Sequence, residues 1–567
     1  MKSFFHFCLN GIFFLCFVGK GFSQPPGGVA YFSYPMSIKP KLNANFGEMR
    51  NNHFHMGLDL STEGRENVPI IAPAEGYIAR IKIETGGFGR AIYINHPNGT
   101  TTLYAHMNRF IPAAESFLKS KQYEQQTWKI DVVLPENLIP LKKGQLIGYS
   151  GNTGASQGPH VHFEIRDTKT ENCLNPLLYR FPLADVTPPD IYRLVFYDRD
   201  KSIFEQSPIP VNLVRHGNGF KPSGVVELPF DRAFVAIQAT DRMTGIPNPN
   251  GFFSATLLKD DQVISGFELD NIGYDKTRYL NGHIDYPTRV KGGPYYQMLF
   301  PPKGYGINMY TMGNADKDHI EVASVPAEYT IKVTDAYGNS AYLDFRVSRK
   351  SGEHPGNVVQ GERMEPLGVN IYEDENIQFV FNEDAFYDAF NFSVKPFYAN
   401  GVAELSSVYQ ALPSDIPVQS YFTARIKPNR NNLLVNKDRV VMKRTYKSKT
   451  DIKKATEEKG WYAAAFRDFG YFQLLEDLQP PTISSPLQPG ATLRAGSRIV
   501  FDVADNNRVI REFRGTVDGQ WLMFQPSGSR FAYTVDEHFP LGEHKLSIVV
   551  YDEAGNNTSR DYIIKRN

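Results

Sequence analysis

Twice in this chain an alternating apolar strand runs into Asp-x-x-Gly-Asn and out into a second strand. The first copy is Tyr329 to Val333, then Asp335-Ala336-Tyr337-Gly338-Asn339, then Ala341 to Val347. The second is Leu546 to Val550, then Asp552-Glu553-Ala554-Gly555-Asn556, then Ser559 to Ile564. Gly-Asn can adopt positive φ, so each copy predicts a β-hairpin closed by a tight turn. A weaker third copy surrounds Asp468-Phe469-Gly470. Each strong copy is preceded, well upstream, by a paired-proline mark: Asp185-Val186-Thr187-Pro188-Pro189 and Asp477-Leu478-Gln479-Pro480-Pro481. Paired prolines break ladder pairing and stiffen a connector, so both read as domain joints.

These marks divide the chain into 25–184, 185–350, 351–477 and 478–567. Within 351–477 the runs Ile377 to Phe381 and Phe390 to Val394 alternate apolar and polar residues. Short strands with frequent turns, and no sustained helical period, predict an all-β chain whose later parts are β-sandwiches. One charged stretch, Lys449 to Lys459, reads as helical and solvated. The closing hairpins resemble those of bacterial immunoglobulin-like modules.

The length of 567 residues suits roughly three to five domains. Lys plus Arg and Asp plus Glu are 61 each, which gives no support for nucleic-acid binding. Phe4 to Val18 is almost wholly apolar, follows Met1-Lys2, and ends in Gly21-Phe22-Ser23. Residues 1–23 therefore read as a secretory signal peptide. No later apolar run is long enough to span a bilayer once that signal is removed. Of three cysteines, Cys8 and Cys16 lie in the signal and only Cys173 remains, which excludes a disulfide scaffold.

Six of 13 histidines fall between positions 53 and 162. In Gly158-Pro159-His160-Val161-His162-Phe163-Glu164-Ile165 the alternation is that of a strand. His160, His162 and Glu164 then share one face. Such a pair suits one imidazole as metal ligand and the other as neighbour to a bound water. In His55-Met56-Gly57-Leu58-Asp59 the glycine permits the bend that would bring both end side chains to one ion. Two histidines, one carboxylate and an open position form the ligand set of a catalytic zinc, and imidazole favours zinc over calcium.

Taken together, several blocks resemble the lysostaphin/LytM-type zinc metallopeptidases. They are Asn45 to Arg50, His55-x-x-x-Asp59, Tyr104-Ala105-His106, Lys142 to Tyr149, Gly151-Asn152-Thr153-Gly154 and Gly158 to Glu164. Their order and spacing match that family over roughly 40–180. The resemblance implies an antiparallel β fold with one zinc per chain on His55, Asp59 and His162. His106 and His160 would line the groove as catalytic residues. Glu164 would orient a ligand imidazole or form a rim salt bridge. Arg50 would touch substrate or, the safer reading, form a structural ion pair. The segment Arg109 to Pro140 exceeds the family's usual connection, so it either shapes the groove or is an inert excursion.

The implied activity is an exported peptidoglycan endopeptidase of the periplasm or cell envelope, possessing a zinc-activated water. The competing readings are an inactive family member and a surface adhesin, each a wall-binding module. The C-terminal sandwiches would dock a protein partner or form a stalk. Alternatively, the first sandwich would pack on the peptidase domain in a fixed pose and limit access to its groove.

Overall fold

Alternation along the sequence becomes alternation of burial. Ile331 and Val333 are fully buried while Thr330 and Lys332 are half-exposed, so one face of the strand packs inward. This pattern recurs along the computed structural model. It describes residues 30–567 apart from 218, 305, 314–317, 352–359, 399–403 and 430–435. The signal segment read over 1–23, with Cys8 and Cys16, lies outside the described residues. Among those described, strands predominate, and no helix is long and apolar enough to cross a membrane.

The first unit is built on β1 (Leu42–Ala44), β2 (Leu58–Ser61), β3 (Gly76–Ile83), β4 (Arg90–Asn95), β5 (Thr100–Ala105), α1 (Pro112–Gln125), β6 (Ile130–Val133) and β7 (His160–Asp167). The main sheet runs β1-β2-β7-β5-β4-β3-β6, antiparallel throughout. Leu58, Leu60, Tyr104, Val161, Phe163 and Ile165 form part of its core. With Val161, Phe163 and Ile165 turned inward, their neighbours on β7 face the other side of the sheet.

The next unit pairs β8 (Asp190–Asp198) with β9 (Arg232–Thr240) in one sheet. A second sheet holds β10 (Ser254–Lys259), β11 (Ala327–Thr334) and β12 (Ser340–Arg349). The third unit is also two-sheeted and contains β13 (Ile377–Phe381), β14 (Phe390–Phe397), β15 (Val440–Tyr446) and β16 (Lys449–Lys454). Its core is rich in phenylalanine, including Phe379, Phe381, Phe392, Phe422 and Phe469. The last unit holds β17 (Arg498–Ala504), β18 (Gly542–Asp552) and β19 (Asn557–Arg566). Both strong hairpins form, β11–β12 and β18–β19, with Gly338 at φ 92° and Gly555 at φ 90°. In each turn the aspartate accepts the backbone N–H of its asparagine, Asp335 from Asn339 at 2.9 Å and Asp552 from Asn556 at 2.8 Å.

Two expectations are corrected. Lys449 to Lys459 is not helical: β16 pairs with β15, and Thr456–Glu458 is a strand too. Only Ile452 of β16 is buried, so an edge strand wetted on most of its surface carries no apolar alternation to read. The weak third copy is not a hairpin either. Trp461–Asp468 and Tyr471–Glu476 lie in different sheets. The two residues between them include Phe469, which is buried in the core and draws the chain across from one sheet to the other.

The first two units interlock. Phe46, Phe54, Met56 and Cys173 belong to the core of the second unit, with Phe252, Leu269 and Ile272. Asn45 Nδ2 donates to Gly251 O at 2.6 Å, and Gly251 N returns a bond to Asn45 Oδ1 at 3.0 Å. The segment Arg109 to Pro140 takes neither role expected of it. Its α1 faces the last unit: Lys119 pairs with Asp536 and Glu537, and the Tyr123 ring stacks on His538 at 3.5 Å.

Candidate metal centre

Three adjacent strands bring the sequence-predicted residues together. Across β2 and β7, Asp59 is the register partner of His162. Across β7 and β5, His162 pairs with Ala105, so His106 emerges beside it. A Cβ on Gly57 would lie 2.4 Å from Phe163 O and 3.1 Å from His162 Cε1. Only glycine lets the chain entering β2 approach β7 this closely.

His55 Nε2, Asp59 Oδ1 and His162 Nδ1 form a triangle with every side 3.0 Å. Ligand atoms about 2.0–2.1 Å from a tetrahedral ion are separated by roughly this span. With each histidine donating from its other nitrogen, the three facing atoms are all acceptors, so the donor set fits a cation. Each histidine is held from behind. His55 Nδ1 donates to Asn45 O at 2.7 Å, and His162 Nε2 to Glu164 Oε1 at 2.9 Å. Such bonds set the tautomer and aim the free nitrogen at the ion.

Glu164 is fully buried, not a rim residue. It also accepts from Arg166, Cys173 and Tyr274. Burial opposes its charge, yet Arg166 and His162 hold it down at about 2. Burial likewise opposes the Asp59 charge, while His55 first, and then His160 and His162 around it, keep it well below the usual carboxylate range. Burial also disfavours charge on His162, but bonds to Asp59 and Glu164 push it up to about 9. Arg50 Nη2 donates to Asp59 Oδ2 at 2.7 Å, the structural ion pair, and Arg50 also pairs with Glu48.

His106 and His160 face each other with ring centroids 4.7 Å apart. His106 Nδ1 donates to Thr153 O at 2.8 Å and His160 Nδ1 to Gly158 O at 2.7 Å, so each keeps Nε2 as an acceptor. The Gly-rich turn thus serves to present Thr153 O to His106. His106 sits at φ 60°, a left-handed conformation that a non-glycine residue adopts at a cost. Burial, with His162 and His160 nearby, holds its imidazole down at about 4. A groove of about 860 Å³ is lined by Asp59, His106, His160, Glu48 and Arg50, with Tyr295 contributed by the second unit.

Residues 53–123 and 137–176 match the family model described as peptidase family M23. The chain carries a peptidase family M23 domain. The break in the match, at 124–136, falls inside the long Arg109 to Pro140 segment and begins at the end of α1. Residues 362–477 match a Zu5-like domain, which no motif in the sequence signalled. Among relatives, a Haemophilus influenzae protein named an uncharacterized metalloprotease is 28% identical over 171 residues, 29% of this chain and 28% of its own. The DD-carboxypeptidase/endopeptidase Mpg of Neisseria meningitidis serogroup B is 31% identical over 136 residues, 24% of this chain and 25% of its own. The peptidoglycan DD-endopeptidase ShyA of Vibrio cholerae is 24% identical over 165 residues, 28% of this chain and 32% of its own. The chain thus spans about a quarter to a third of the length of these relatives.

Sequence reasoning missed Tyr274 and Tyr295, which come from beyond the M23 domain. No local pattern marks a side chain that reaches a site more than 100 residues away in the chain.

Proposed function

We propose that the M23 domain is a zinc endopeptidase that cuts the peptides of bacterial peptidoglycan in the cell envelope, after export on the 1–23 signal. The observation that carries this reading is the 3.0 Å triangle of His55, Asp59 and His162, each histidine fixed from behind. Residues 25–184 would form the peptidase domain, followed by units 185–350, 351–477 and 478–567. The names of the Neisseria and Vibrio relatives support the substrate class.

When bound, zinc lowers the pKa of a water and polarises the scissile carbonyl. His106, held neutral by burial, takes the attacking water's proton at Nε2. His160, bonded at Nδ1 to Gly158 O, would, when protonated, donate from Nε2 to the oxygen on which negative charge develops. Arg50 and Glu164 act behind the ligands, one on the outer oxygen of Asp59 and the other on the back of His162. An Arg50 engaged this way is not free to bind substrate.

The test is digestion of purified sacculi, with products identified by mass spectrometry. His106→Ala and His160→Ala should keep the metal and lose ~10²–10⁴-fold in rate. His55→Ala, Asp59→Ala and His162→Ala should each lose the metal. A zinc-loaded, folded protein that releases no peptide fragments would defeat the enzymatic reading and leave a wall-binding module.

A further inference from the structure

The paired-proline joints and closing hairpins have no part in peptide hydrolysis, yet they recur together. Their aspartates explain why. Asp185 of the first joint, Asp241 just after β9, and Asp335 of the β11–β12 turn are 8%, 4% and 2% exposed. One carboxylate oxygen from each lies within 4.8 Å of the other two. The Asp335 oxygens accept from its own turn, and Asp185 Oδ1 accepts from Thr187 N and from Thr244 N and Oγ1. Asp185 Oδ2 and Asp241 Oδ1, both shut off from solvent, have no hydrogen-bond partner. Nor has Asn250 Oδ1, on the residue bridged to Asp241 through two backbone bonds of 2.8 and 3.0 Å. Buried oxygens without donors are costly, and like charges this close out of water cost more.

The second joint repeats the cluster, but there Asp477, the counterpart of Asp185, has donors on both oxygens, while Asp505 Oδ1 has none. Asp477, Asp505 and Asp552 also cluster within 4.8 Å. There Asn506 Nδ2 donates to Asp477 Oδ1 at 3.0 Å and Asn507 Nδ2 to Asp477 Oδ2 at 2.7 Å. In the first joint the two residues after Asp241, the counterpart of Asp505, are Arg242 and Met243. Arg242 pairs with Asp190, and Met243 is buried in the M23 core. Neither offers a side-chain amide, and Asp185 Oδ2 has no donor.

We infer that Asp185, Asp241 and Asp335 bind one divalent cation of the calcium type, which clasps the M23 domain to the unit that follows. An all-oxygen set without His or Cys selects a hard cation. Oxygens 2.3–2.6 Å from one calcium lie up to about 5 Å apart, a span within which the cluster falls. The clasp is placed to matter. It joins the end of the M23 domain, the strand end at Asp241 and the closing hairpin. Met243, Ala336 and Tyr337 around it pack against the M23 core.

The experiment uses the full mature chain, stripped of metal and titrated with calcium chloride in a calorimeter and in thermal melts. One equivalent should bind with Kd of ~10⁻⁴–10⁻³ M, the range of extracellular modules, and 5 mM calcium should raise the melting temperature by ~2–4 °C. His55→Ala should keep the whole response, which separates this site from the zinc centre. Asp505→Asn should also keep it, and Asp241→Asn should abolish it. Asp185→Asn, whose Oδ1 can still accept from Thr187 and Thr244, gives a second reading if Asp241→Asn does not fold. No binding by the wild type at 10-fold above that range, or unchanged stoichiometry in both Asp241→Asn and Asp185→Asn, would overturn the proposal.

Discussion

The M23 domain is touched by two neighbours in opposite ways. The unit after it shares its interior: Phe46, Phe54, Met56 and Cys173 lie in that unit's core, and Thr277 Oγ1 accepts from Phe54 N at 2.9 Å. Tyr274 of the same unit donates to Glu164, which accepts from His162 of the candidate centre. The last unit meets α1 and the residue after it, through ion pairs of Lys119, the Tyr123–His538 stack, an edge contact from Trp521 and a bond from Arg514 Nη2 to Gln126 Oε1. One contact is a shared core and the other a surface pairing. Buried apolar area contributes ~25 cal/mol per Å², while exposed ion pairs contribute about 0–1 kcal/mol. The first neighbour is therefore part of the M23 fold, and the last is a lightly held companion.

The largest effect expected from this contrast is on a truncated chain. Residues 25–184 expressed alone should aggregate or lack cooperative unfolding, because Phe46, Phe54, Met56 and Cys173 lose their partners. A sharp melt and a zinc-loaded monomer from that fragment would break the contrast. It would also free the fragment for testing whether the second unit limits groove access.

Next is acid. His96 in the M23 core and His283 in the second unit are both held down at about 4 by burial. A depressed imidazole contributes stability that is complete above the unfolded value of about 6.5 and is lost as pH falls through 4. Between pH 7.5 and 5.0 each should cost roughly 2 kcal/mol. The fall in melting temperature over that interval should shrink in His283→Gln. Superimposable pH curves for variant and wild type would show that His283 carries none of this loss.

Smaller still is the reach of Tyr274. Tyr274→Phe should weaken zinc binding ~10-fold in a chelator competition, the lower end for a residue behind a ligand. Unchanged affinity would reduce the shared interface to packing alone. Smallest is Lys119→Ala, which should cost under about 1 kcal/mol and vanish in high salt. A loss of several kcal/mol in thermal or urea unfolding would place the last unit on the same footing as the first.

Much of the centre was legible because its residues obey local rules. His160 and His162 alternate on one strand, and Gly57 permits a bend between His55 and Asp59. The two hairpins were equally legible, since Asp-x-x-Gly-Asn is short-range turn chemistry. What escaped is long-range or carries no pattern. The bond from Asn45 to Gly251 spans 206 residues with no periodic signal at either end. Glu164 looked as much like a rim residue as a buried one, because its burial depends on Tyr274. The strand Lys449–Lys454 was hidden by its charge, and α1 by its place in a segment read only for its length.

The proposed chemistry rests on one zinc held by His55, Asp59 and His162. Anomalous diffraction above and below the zinc edge, from crystals of the mature protein grown with zinc, tests it most directly. One strong peak is expected about 2.0–2.2 Å from His55 Nε2, Asp59 Oδ1 and His162 Nδ1, with no zinc at Asp185, Asp241 and Asp335. A peak at the aspartates, or zinc-saturated crystals with none at the histidines, would contradict it.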